Sequence, residues 1–151
     1  MNDRGHGHGP VLVGIDGSTG ALAALREAVI LAEAFRRPLE AVAVWQPSTS
    51  MYDAYYPDAE SSPRSVALRN AREASTAAFG AKPPDWFSTR AQQGNPGAVF
   101  VEASRTASYL VLGSRGRGGL TTALLGSVSV HCASHARCPV LIVGPDVAET
   151  M

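Results

Sequence analysis

Gly113, Gly116, Gly126 and Ser127 stand in the spacing Gly-x2-Gly-x9-Gly-Ser. The loop they define lies between an apolar run, Tyr109-Leu110-Val111-Leu112, and a segment of helical character, Val128 to Ala136. A glycine-rich loop between a buried strand and a helix N-terminus is suited to holding an anion. Glycine lets the backbone approach the ligand closely, and the first N–H groups of a helix have no intrahelical partners. The chemistry expected here is phosphate binding. The loop is not a P-loop, because no Gly-Lys-Ser/Thr closes it. Phosphate charge would be met by backbone dipoles, by Ser127 and Ser129, by Arg115 or Arg117, and by Mg carried on the phosphates. The two arginines read equally well as solvated loop charges.

Asp16 is the other residue with chemical promise. It ends the apolar run Val11-Leu12-Val13-Gly14-Ile15 and precedes Gly17-Ser18. A carboxylate there fits either a helix cap or a ligand contact, direct or through a metal. His131 and His135 lie four apart, with Cys132 between them and Cys138 beyond. The zincin pattern needs Glu after the first His, and adjacent helix positions point apart, so exposed or capping histidines are the expected reading. Met51, Tyr52, Tyr55 and Tyr56 sit in a long segment, 46–63, that reads as a loop. Such a loop is a lid, a partner surface, or a strap packed on its own sheet.

These residues need elements to position them. Val11–Ile15, Leu39–Trp45, Trp86–Ala91, Tyr109–Leu112 and Val140–Val143 read as strands. Between them, Gly20–Phe35, Ser65–Phe79, Asn95–Arg105 and Val128–Ala136 read as helices, with Ser18 or Thr19 capping the first and Pro38 following it. Asn95-Pro96 is a cap followed by proline at the first helical position. The alternation implies an α/β fold, a doubly wound parallel five-stranded sheet with helices on both faces. By analogy the strand order is 3-2-1-4-5. That order would set Asp16 beside Gly113 at the topological switch point, where ligands of such sheets bind.

Bulk properties agree. A chain of 151 residues suits one domain, expected over 10–145, with tails at 1–9 and 146–151. Thirteen basic and 13 acidic residues cancel, which argues against a nucleic-acid partner. Residues 118–136 carry no Lys, Arg, Asp or Glu, but three glycines and two histidines interrupt them, so no membrane span is expected. Met1 to Pro10 is polar and lacks the apolar core of a signal peptide. Two cysteines are too few for a disulfide framework and point to a cytoplasmic location.

Several segments together resemble the universal stress protein family. They are Val11 to Ser18 (VLVGIDGS), Gly94-Asn95-Pro96, the glycine signature, and His135 to Val143 (HARCPVLIV). The resemblance covers nearly the whole chain, and the intact glycines imply the ATP-binding subgroup. It implies that Gly116, Gly126, Ser127 and Val128 face the phosphates and that Gly113 lies near the ribose. By the same resemblance Asp16 sits beside the nucleoside, and Val44 meets adenine through its backbone. It also implies a homodimer paired through the last strand, Val140–Val143. Many members carry Ala-Asp-Leu where this chain has Ala107-Ser108-Tyr109, a change expected to act on local packing or capping.

The function expected is an ATP-binding regulatory protein of the stress response, with its protein partner undefined. The alternatives are a slow ATPase or phosphoryl-transfer enzyme, and a dimerisation module that binds no nucleotide. Efficient catalysis is not expected, since there is no P-loop lysine and no evident general base beyond Asp16. A dehydrogenase would need Gly-x-Gly-x-x-Gly after the first strand, and Gly14-Ile15-Asp16-Gly17-Ser18 does not fit.

Overall fold

Val11–Ile15 (β1) is almost wholly apolar and buried on both sides, as a central parallel strand must be. In the computed structural model, which describes residues 8–115 and 125–144, β1 lies third in a five-stranded sheet. The other strands are Leu39–Trp45 (β2), Phe87–Gln93 (β3), Tyr109–Gly113 (β4) and Val140–Val143 (β5). Their order is β3-β2-β1-β4-β5, and every neighbouring pair is parallel. This is the expected order, and it puts the switch point between β1 and β4.

Helices cover both faces. Thr19–Phe35 (α1) and Pro63–Phe79 (α3) pack on one side, and Pro96–Ala103 (α4) and Ser127–His135 (α5) on the other. Met51–Tyr55 (α2) is a short helix outside both layers. The core of α1 is a stripe mostly of small residues: Ala21, Ala24, Ala28 and Ala32 are all buried, with Leu25 the large side chain among them. Small side chains let the helix axis lie close to the sheet. Ser18 caps α1, its Oγ accepting from the Ala21 N–H at 3.1 Å. The helix stops at Arg36, which is left-handed (φ 53°), and the Arg37 N–H donates to the Ala32 carbonyl at 2.9 Å.

Some boundaries differ from those expected. Segment 46–63 is not all loop, because it contains α2 and because Pro63 already begins α3 behind the capping Ser62. β3 runs two residues further than expected, since Val44 and Trp45 offer register partners to Gln92 and Gln93. α4 ends at Ala103, short of Arg105. The calls on residues 1–7, 116–124 and 145–151 lie outside the described residues, and these include Gly116. Gly9 is tied to the sheet. Its carbonyl accepts from the buried Ser108 hydroxyl, and the Ser108 N–H donates to the Pro10 carbonyl at 2.9 Å. Ser108 thus fixes where the chain enters β1.

Cys132 and Cys138 are free and buried in the core between the sheet and α4/α5. Burial pushes both thiols up from 9.0 to about 11, and the neighbouring Cys138 adds to the effect on Cys132. A thiol raised on folding stays protonated in the native state while the unfolded chain ionises. Its contribution to stability is therefore complete below about pH 9 and is lost as pH rises toward 11. We expect urea midpoints to fall across that window, and the fall to flatten in the Cys132→Ala/Cys138→Ala double variant.

Candidate functional site

The carboxyl ends of β1 and β2 open onto a cleft of about 260 Å³, closed on its far side by α3. Ile15, Asp16, Ala43, Val44, Trp45 and Gln46 line it from the strands, and Pro63, Val66, Ala67 and Asn70 from the helix. The volume sits just under the ~300–1,000 Å³ usual for small-molecule sites. Asp16 and Val44, picked out separately in the sequence, thus share one cleft. Asp16 is half-buried, and its Oδ1 accepts from the Ser18 N–H at 2.9 Å. That turn aims the carboxylate across the strand end and leaves the capping of α1 to Ser18. Gly17 (φ 84°) makes the turn possible.

The second half of the site lies across the switch point. β4 ends at Gly113, whose missing side chain matters structurally. A Cβ there would stand 3.0 Å from the carbonyl carbon and oxygen of Gly20. A Cβ on Gly20 would in turn meet the Arg115 carbonyl oxygen at 3.3 Å. Two glycines therefore let the first turn of α1 lie against the end of β4. Arg115 is half-buried just beyond.

α5 begins beside this contact. Gly126 is its N-cap, extended (φ −63°, ψ 161°) and with no side chain to cap the helix. The Gly126 N–H donates to the Ser114 carbonyl at 2.7 Å, which joins the two ends of the glycine signature. With no capping side chain, the N–H groups of Ser127, Val128 and Ser129 are those left without intrahelical acceptors. The Ser127 side chain is exposed and free to turn outward. The Ser129 hydroxyl is committed elsewhere: it is buried and donates to the Gly113 carbonyl at 2.7 Å. It holds α5 against β4, so any share it takes in an anion site falls to its backbone. Gly113, Arg115, Gly126, Ser127, Val128 and Ser129 are brought together, while Gly116 lies outside the described residues.

Other candidates divide. The tyrosine segment is not packed on the sheet: Met51, Tyr52, Tyr55 and Tyr56 are all exposed, and the only ring contact among them is Tyr52 on Tyr56 at 5.0 Å. His131 and His135 stack on each other along α5 with ring centroids 4.5 Å apart, and the exposed His131 ring lies against Gly97 of α4, where a Cβ would stand 2.8 Å from it. Among the described residues no group of three or more His, Cys, Asp or Glu could hold a metal. No helix among the described residues is long and apolar enough to cross a membrane. Sequence reasoning missed the α3 wall. Its signal was available in the spacing of Pro63, Val66, Ala67 and Asn70, one stripe at helical period.

The family model described as the universal stress protein family matches residues 8–144. A universal stress protein of Mycobacterium tuberculosis is 35% identical over 139 residues, covering 92% of this chain and 49% of the relative. One from Mycobacterium bovis is 38% identical over 144 residues, covering 89% and 45%. The chain thus spans about half the length of the curated relatives it matches. Among solved structures, a universal stress protein in complex with cAMP is 30% identical with a TM-score of 0.66, covering 89% of this chain and 96% of that one.

The close backbone approach at the switch point is testable. Gly113→Ala should lower the unfolding free energy by about 1–3 kcal/mol, because backbone, not a flexible side chain, stands in the way of the new methyl. Urea denaturation at constant m-value would measure the loss.

Proposed function

Because this chain belongs to the universal stress protein family, we propose that it is an ATP-binding regulatory protein of the stress response. The nucleotide spans the switch point. Its nucleoside occupies the cleft beside Asp16 and the Val44 backbone, and its phosphates meet the N-terminus of α5. The observation that carries this reading is an apolar cleft with one carboxylate at the end of β1, beside the strand β4 whose end is tied to a helix start without a side-chain cap. A related protein, 30% identical, binds an adenine nucleotide, cAMP, which supports the same ligand class here.

In this reading Gly126, Ser127 and Val128 surround the phosphates with backbone dipole. Gly113 keeps the end of β4 thin enough for close approach, Gly116 completes the glycine signature in sequence, and Arg115 is the cation assigned to the anion. Mg would accompany the triphosphate through its own oxygens, with Asp16 the one carboxylate among the residues lining the cleft. The protein acts through nucleotide-dependent contacts rather than turnover, and hydrolysis, if it occurs, is slow. It works in the cytoplasm as a homodimer joined through β5, whose Leu141 is exposed on the sheet edge.

Gly126 already has dihedrals that a β-branched residue adopts readily, so Gly126→Val should fold normally. Calorimetric titration with ATP and Mg should then show binding to the parent protein and at least a hundredfold loss in the variant, about 3 kcal/mol. An unchanged affinity in the folded variant would sink the phosphate assignment, and no nucleotide binding by the parent would favour the dimerisation module. For assembly, Ile142→Asp should halve the mass seen by light scattering. A mass unmoved by that charge would place the interface elsewhere.

A further inference from the structure

We infer that Asn70 reads the base of the bound nucleotide and makes the site prefer adenine over guanine; this rests on the nucleotide reading above. Three observations lead there. First, α3 presents Pro63, Val66, Ala67 and Asn70 to the cleft as one stripe, apolar until it reaches the carboxamide. Opposite stand Ile15, Ala43, Val44 and Trp45. Walls of this kind suit a flat aromatic ring, since a sugar would need several polar partners.

Second, the carboxamide is fixed in place by packing. It lies against Gly17 so closely that a Cβ on that residue would stand 2.9 Å from Oδ1 and 3.0 Å from Nδ2. Gly17 has φ 84° and its place is set by the Asp16 turn, so the strand end and the helix hold the amide between them.

Third, Asn70 is half-buried, no side-chain hydrogen bond ties its carboxamide to another described residue, and no buried polar atom is left orphaned, so the amide stays open to the cleft. Its donor and acceptor are therefore uncommitted, while Asp16 already accepts from Ser18.

The chemistry of the group names what it would read. A carboxamide offers one donor beside one acceptor. Adenine offers the complement along its 6-amino and N7 edge. Guanine offers two acceptors on that edge, so one carboxamide cannot satisfy both, and one polar atom is left facing the wrong partner. Asp16 carries acceptors only, and Gln46 is exposed at the outer end of the cleft.

The test compares ATP with GTP, each with Mg, by calorimetric titration of the parent protein, Asn70→Leu and Asn70→Ala. Leucine keeps the bulk of the side chain and removes its hydrogen bonds. Alanine guards against a leucine that packs badly on Gly17. The parent should prefer ATP, and both variants should lose roughly tenfold for ATP while GTP affinity holds, so that the ratio collapses. A role limited to holding the cleft open would weaken both nucleotides together and leave the ratio intact. That result, or a parent indifferent to the base, overturns the inference while leaving the nucleotide reading standing. A parent that binds neither nucleotide overturns both.

Discussion

The site depends on the contact in which the end of β4 meets the start of α1 through two residues without side chains, Gly113 and Gly20. Strands β1 and β4 are neighbours, and their chains leave the sheet toward opposite faces, one into α1 and the other toward α5. Such a divergence opens a crevice at the strand ends. What the glycines add is depth. With backbone against backbone, α1 is seated low, and Asp16 and Gly17 turn within the crevice instead of over its rim. Ser18 then caps the helix, and Ser129 reaches across to the Gly113 carbonyl from the other side. The same small region thus positions the carboxylate, the cleft floor and the start of α5.

The electrostatics are those of dipoles with few fixed charges. α5 starts without a capping side chain, so its positive end is presented by backbone N–H groups alone. Asp16 is the one carboxylate among the residues lining the cleft. The ion pair of Arg90 with Glu40 at 2.7 Å bridges β3 and β2 toward the amino end of β2, away from the crevice. Fixed N–H groups cost no reorganisation when an anion arrives, which a long flexible lysine would.

Much of this was legible from residue patterns, for identifiable reasons. Parallel strands buried on both faces read as continuous apolar runs, and β1, β2 and β4 were recognisable because each is such a run. The Asn95-Pro96 start and the Ser18 cap were legible because helix starts have local chemistry. β3 was placed short because Arg90, Gln92 and Gln93 are polar on an edge strand, where pairing with β2 decides the length. α2 was missed because five residues carry no period, and its side chains bury nothing. The fate of the Ser129 hydroxyl could not be read at all. Its partner is a backbone carbonyl 16 residues away, and nothing in local sequence signals a long-range bond of that kind. Asn70 is a middle case: its helical stripe with Pro63, Val66 and Ala67 is legible, but that the stripe walls a cleft follows only from α3 docking on β2.

The crevice also has a mechanical side. Its cleft belongs to the layer formed by α1 and α3, and the N-terminus of α5 to the layer formed by α4 and α5. These two layers share the sheet but have separate cores. A ligand lying across the strand ends would therefore act as a clasp between halves that, among the described residues, meet mainly through the sheet. By mass action, a ligand at a hundred times its dissociation constant would add about 2.7 kcal/mol to the folded state. Amide exchange would slow in both layers at once, and the melting temperature of the chain would become a gauge of ligand concentration.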